Sequence, residues 1–124
     1  MQVLLVDNSL LILQRLEELL TDAAVHSGIF SASSYKDALE LFMHQQPGIV
    51  VLDINLPQNA SYRLLKEIKE MAPATIVIIL SIHTDEYIQQ QCLMLGADFF
   101  FDKYHEFEKI PEIIIFYKNK IPGS

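Results

Sequence analysis

The chain has 124 residues, 51% of them apolar, and a formal net charge of −7 at pH 7. That length suits one domain with a real core, and the apolar content excludes a disordered chain. With no run of Lys or Arg longer than a dipeptide, nucleic-acid binding by this chain alone is disfavoured, because contacts to phosphate supply most of that affinity.

Cys92 is the only cysteine, which rules out an intramolecular disulfide and fits a reducing compartment. It lies in the apolar patch Cys92-Leu-Met-Leu95, where a small buried hydrophobe is expected. Met1 leads straight into apolar residues without a basic leader or cleavage site. The longest apolar run, Thr75 to Ile82, is far short of a membrane span, so a cytoplasmic location is expected.

Strands and helices alternate five times along the chain. The first strand is expected at about Gln2–Val6, and a helix follows from near Ser9, a suitable N-cap, to about Ala24. Its apolar residues Leu11, Ile12, Leu16, Leu19 and Leu20 recur at helical spacing. A weak second strand is read at Gly28–Ala32. Ser34-Tyr-Lys-Asp37 opens the second helix like a capping box, and that helix buries Ala38, Leu41 and Phe42.

The run Ile49–Leu52 is what a strand buried on both faces needs, and it ends in Asp53. The third helix spans about Ser61–Met71, stopped by Pro73. The fourth strand is Thr75–Leu80. Its helix begins near Thr84 or Asp85 and stops at Gly96, a residue suited to a left-handed C-terminus. The fifth strand covers about Asp98–Phe101, and the last helix most of His105–Asn119, with Pro111 either in the first turn of a helix beginning near Ile110 or at a kink. The tail is expected to fray from about residue 120.

Alternation of this kind implies a doubly wound α/β fold, a five-stranded parallel sheet with helices on both faces. Four apolar runs each deliver a polar group at their C-terminal end: Asp7 and Asn8, Asp53, Ser81, and Lys103. Ligands of open α/β folds bind outside that edge of the sheet.

The pieces Leu4-Leu-Val-Asp-Asn8, Val51-Leu-Asp-Ile-Asn-Leu-Pro57, Ile79-Leu-Ser81, Gly96-Ala97 and Phe101-Asp-Lys103, in this order, resemble the receiver domain of two-component response regulators. The resemblance covers essentially the whole chain, read as a single domain over residues 1–124. It implies a (βα)5, flavodoxin-like fold and a phosphorylation switch rather than an enzyme with an external substrate.

In that family Asp53 is the phosphoacceptor, Lys103 contacts the phosphoryl group, and Ser81 and Phe100 occupy switch positions. Mg²⁺ is implied at Asp7, Asn8, Asp53 and the backbone carbonyl of Asn55. A histidine kinase or phosphotransfer protein is implied as donor. A downstream protein or a separate output domain is implied as receiver of the signal, with a homodimer through the fourth helix, fifth strand and fifth helix as one arrangement. The consecutive apolar residues Ile113 to Tyr117 exceed what one sheet-facing stripe buries, which points to the same surface.

The sequence departs from the family pattern in four places. Asn8 stands where a second acid is usual, which weakens the expected hold on Mg²⁺. Ile82 replaces a small residue and is expected to narrow the approach to Asp53. Tyr104 replaces a proline that often follows a cis bond, so a trans bond is expected. Ser61 replaces a common glycine. His26, His44, His83 and His105 show no ligand spacing.

Lys103→Ala is expected to spare the fold while uncoupling modification from response. Two other readings stand beside the switch. One is a pseudo-receiver that binds protein without phosphorylation. The other is a phosphatase of the haloacid-dehalogenase type, which wants an acid where Asn55 stands.

Overall fold

A computed structural model describes residues 2–23, 25 and 28–120. The expected frayed tail and His26 lie outside the described residues. The elements are β1 (Val3–Val6), α1 (Leu10–Asp22), β2 (Ile29–Ala32), α2 (Tyr35–Gln45), β3 (Ile49–Asp53), α3 (Ala60–Met71), β4 (Ile76–Ser81), α4 (Glu86–Met94), β5 (Phe99–Asp102) and α5 (Lys109–Lys120). All strands pair in parallel, in the order β2-β1-β3-β4-β5. The order reverses between β1 and β3, so the crevice outside their carboxyl ends is where such a sheet binds ligands.

Period-two alternation along the central strands splits the core into two layers. Leu4, Val6, Val50, Leu52, Val77 and Ile79 pack with Ala38 and Phe42 of α2, Leu64, Leu65 and Ile68 of α3 and Cys92 of α4. Val3, Leu5, Ile49, Val51, Ile78 and Leu80 pack with Leu13, Leu16 and Leu20 of α1 and Ile110 and Ile114 of α5. Both faces of the sheet are therefore covered, which is why β1 and β3 read as unbroken apolar runs. The edge strand β2 is mostly half-buried, hence its weak signal.

The caps follow the side chains. Ser9 accepts the Ile12 amide at α1, Ser34 accepts the Asp37 amide at α2, and Asp85 accepts the Ile88 amide at α4. Beyond α4, the Gly96 amide donates to the Leu93 carbonyl and the Ala97 amide to the Cys92 carbonyl, the Schellman arrangement. Gly96 has φ +105°, and a Cβ there would meet Lys69 Cγ at 2.9 Å, so both backbone and space require glycine.

Cys92 is fully buried, and that burial pushes its thiol up to about 11. Its modification by an aromatic disulfide at pH 8 is expected to follow the opening rate of the fold, and to become immediate in denaturant. Rapid labelling of the native chain would contradict this burial.

Of the two alternatives for the last helix, the later start near Ile110 holds: α5 begins at Lys109. Residues 105–108 form turns, and Pro111 sits in the first turn of the helix, where it costs no intrahelical bond. Of the apolar run Ile113 to Tyr117, Ile114 is buried, Ile113 and Tyr117 are half-buried, and Ile115 and Phe116 are exposed. Tyr87, Leu93 and Met94 are exposed on α4. Among the described residues, no helix is long and apolar enough to cross a membrane.

Candidate functional site

Strand register decides which polar groups meet. Val6 stands opposite Leu52, so Asp7 and Asp53, one residue further along each strand, are adjacent. Asp53 pairs with Leu80, and Ser81 with Asp102, which brings Lys103 to the same edge. The Lys103 amide extends the ladder by donating to the Ser81 carbonyl at 2.9 Å.

Asp102 shapes the turn that follows. Its Oδ1 accepts the Tyr104 and His105 amides, and its own amide donates to Glu106 Oε1. Its carboxyl is held below the ordinary value, first by the Tyr104 amide and then by His105. The described residues contain no cis peptide bond, so the bond before Tyr104 is trans.

The two aspartates are held alike. Asp7 Oδ1 accepts the Ser9 amide at 2.8 Å, and Asp53 Oδ1 accepts the Asn55 amide at 3.0 Å. Each carboxylate is thus fixed by the backbone two residues on, and each leaves its Oδ2 for the pocket. Lys103 Nζ lies 2.6 Å from Asp7 Oδ2 and 3.4 Å from Asp53 Oδ2. Asp7 is 1% exposed, Asp53 2%, and the Lys103 side chain 9%.

Burial raises the Asp53 carboxyl above its ordinary 3.8. The Asn55 amide opposes the rise, Asp7 adds to it, and Lys103 opposes it again. Asp53 is therefore more basic than an ordinary carboxylate.

The other residues singled out in the sequence stand apart from this trio. Asn8 and Asn55 are exposed at the rim. The Ser81 hydroxyl, fully buried, donates to the His83 carbonyl at 2.6 Å and accepts the His83 amide at 3.0 Å, so it is engaged by the loop before α4. Phe100 is half-buried against the core layer that includes Cys92. Ile82, the residue after Ser81, is 43% exposed.

Lys103 lies between two buried carboxylates and offsets part of their charge, so loss of its ammonium is expected to cost stability, where the sequence reading expected the fold to be spared. Ser61 was the residue underestimated. Its hydroxyl donates to the Asp53 carbonyl and accepts the Leu56 amide at 3.2 Å. A small polar residue in the first turn of an amphipathic helix was the available signal.

The sequence pattern described as response regulator receiver domain matches residues 3–115. The chain belongs to that family. The receiver is 36% identical over 98 residues to a protein-glutamate methylesterase/protein-glutamine glutaminase of Symbiobacterium thermophilum, a match covering 77% of this chain and 27% of that protein. It is 28% identical over 96 residues to the transcriptional regulatory protein YdfI of Bacillus subtilis, covering 77% of this chain and 45% of that one. The receiver thus spans less than half the length of these relatives.

Among solved structures, a response regulator receiver domain protein from Clostridium thermocellum superposes with a TM-score of 0.84 at 26% identity, over 96% of this chain and 94% of that one. The response regulator domain of Thermotoga maritima CheB gives 0.76 at 25% identity, over 97% and 94%. The five-stranded parallel sheet is the receiver fold.

Receiver domains of this family typically bind Mg²⁺ at the phosphorylation site. The donors here fit a hard cation: they are oxygens, and Asp7 Oδ2 and Asp53 Oδ2 converge on one point, where the Lys103 ammonium stands 2.6 and 3.4 Å from them. Only two carboxylates contribute, however, and no group of three or more His, Cys, Asp or Glu side chains suited to a metal occurs among the described residues.

Proposed function

We propose that the receiver is a phosphorylation switch in which Asp53 accepts a phosphoryl group from a histidine kinase or phosphotransfer protein. The observation that carries this reading is the state of Asp53: buried, raised in basicity, pinned at Oδ1, and left at Oδ2 facing Lys103.

Asp53 Oδ2 is the attacking oxygen. Its lone pair forms the new P–O bond in line, while the P–N bond to the donor imidazole breaks and its electron pair returns to that ring. Lys103, a point charge, compensates negative charge on the transferring oxygens. Asp7, Asn8, Asp53 and the Asn55 carbonyl would hold Mg²⁺, which supplies further charge neutralisation when bound. Bond formation removes the Asp53 charge and gives Lys103 a new partner, so its contact with Asp7 changes. Ser81 must exchange its two bonds with His83 to reach the phosphoryl group, and that couples modification to the loop leading into α4.

Tyr87, Leu93 and Met94 on α4, with Ile115 and Phe116 on α5, give the altered surface apolar groups to offer a protein partner or a second copy. The relatives named above favour an output partner of catalytic or transcriptional kind. No nucleic acid or membrane is assigned to this chain itself.

One group of contacts favours the second reading, a phosphorylation-independent binding module: Lys103 sits closer to Asp7 than to Asp53, Asn8 is neutral, and Ser81 is occupied by His83. One measurement separates the two. Incubation with phosphoramidate and Mg²⁺ is expected to add one phosphoryl to the intact mass, and Asp53→Asn to abolish the gain. An unmodified parent chain, or a gain that survives Asp53→Asn, leaves the binding module standing.

A further inference from the structure

The segment from Asp53 to Ser61 leaves β3, exposes Asn55, and buries Ile54 and Leu56 on either side of it. It then runs through Pro57 and two residues of left-handed backbone, Gln58 at φ 61° and Asn59 at φ 57°. Neither is glycine, so neither takes that conformation without cost, and surrounding contacts must impose it. Asn59 occupies the N-cap position of α3 but makes no capping bond with its side chain. The hydroxyl that closes the loop comes from Ser61.

Ser61 is fully buried. Its Oγ donates its proton to the Asp53 carbonyl and accepts the Leu56 amide, so one side chain ties the backbone on both sides of Asn55. The Asn55 amide is in turn bonded to the Asp53 carboxylate. Three hydrogen bonds therefore join the attacking side chain, the backbone that bears it and the start of α3 into one unit. Glycine or alanine at 61 would leave a buried carbonyl and a buried amide without this partner, and the loop would have to shift to satisfy them.

We propose that the Ser61 hydroxyl is a positioning group that aims the Asp53 carboxylate and the Asn55 backbone at a divalent cation. This rests on the switch reading, and deepens it by naming the residue that sets cation affinity in a pocket one carboxylate short. Ser61 touches neither the cation nor the phosphoryl group. It acts through the main chain of residues 53 to 56.

The test is a Mg²⁺ titration followed by the amide resonances of residues 53 to 56, without any phosphodonor. Ser61→Ala is expected to raise the Mg²⁺ concentration for half-saturation about tenfold, which is about 1.4 kcal/mol of binding. Ile68→Val serves as the control, because Ile68 is buried on the same helix but faces the core. It is expected to lower stability while leaving the Mg²⁺ midpoint within about twofold, since uncoupled sites behave additively.

An unchanged midpoint in Ser61→Ala overturns the proposal. So does an equal weakening in Ile68→Val, which would assign the effect to general loosening. A parent chain whose resonances ignore Mg²⁺ overturns this inference together with its metal premise, whereas the mass gain with phosphoramidate tests the acceptor role of Asp53 separately. If Ser61→Ala does not fold, Ser61→Cys, nearly isosteric with a weaker donor, is titrated instead, and an unchanged midpoint there is equally decisive.

Discussion

Lys103→Ala will destabilise the receiver by about 3 kcal/mol at pH 7 without Mg²⁺, the cost of breaking one side of a buried ion pair. Asp7 and Asp53 are both buried, and Lys103 is the cation that contacts each of them. Two carboxylates left facing each other in a low-dielectric pocket repel, and Asp53 relieves that repulsion by taking up a proton.

The sign follows from the raised Asp53 carboxyl. A carboxyl that binds its proton more tightly in the folded than in the unfolded state makes stability fall as pH rises. The fall begins near the ordinary value of 3.8 and is complete above the folded value. Removing Lys103 removes a cause that lowers the folded value, so the window widens upward and the fall becomes larger. Below 3.8 the Asp53 contribution to the difference between mutant and parent vanishes.

Urea unfolding from pH 4 to pH 8, with and without Mg²⁺, checks this. Mg²⁺ is expected to recover part of the loss by binding only the folded state, by mass action. Equal midpoints for mutant and parent at pH 7 would show that the pocket neutralises its carboxylates without Lys103.

Much of this architecture was legible because burial on both faces leaves a plain mark. The runs at β1, β3 and β4 are continuous because helices cover both sides of the sheet, and each strand ends where a polar residue interrupts the run. Gly96 announced its own left-handed turn. The start of α5 was legible only as one of two alternatives: Pro111 pointed to a start near Ile110, but the consecutive apolar residues from Ile113 to Tyr117 carry no period to decide it. The turn at 103–106 is held by Asp102 and Glu106 through side-chain bonds to backbone amides two to four residues away, a local pattern without a hydrophobic period to mark it. The loop after β3 hid for a related reason: left-handed backbone usually advertises itself through glycine, and here it falls on Gln58 and Asn59.

For the site, residue types at strand ends told which groups would gather but not which would bond. That Lys103 stands nearer Asp7 than Asp53 depends on the offset between β1 and β3 and on where the turn after β5 aims its first residue. The bonds between Ser81 and His83, and the bridge made by Ser61, are likewise products of loop geometry. A sequence lists donors and acceptors; loop conformation chooses among them.

The exposed amide at position 8 leads to the second large effect. Asn8→Asp is expected to lower the Mg²⁺ concentration for half-maximal phosphorylation about tenfold. A unit charge about 4 Å from a divalent ion contributes about 2 kcal/mol even in water, and screening trims this to about the 1.4 kcal/mol that a tenfold change requires. The full low-dielectric gain does not apply, because Asn8 is exposed whereas Asp7 and Asp53 are buried.

The added charge should also raise the Asp53 carboxyl further in metal-free buffer, since a like charge nearby disfavours ionisation. The substitution thus makes the empty pocket less comfortable and the filled one tighter, and both changes steepen the metal dependence. At saturating Mg²⁺ the rate with phosphoramidate is expected to change little, because position 8 supplies charge to the cation rather than to the attacking oxygen. Ile82→Ala, the steric departure nearby, should leave the Mg²⁺ midpoint where it is, which makes it the matched control. A Mg²⁺ midpoint in Asn8→Asp equal to that of the parent would place residue 8 outside the coordination sphere and leave Asp7 and Asp53 as the only carboxylates that the cation feels.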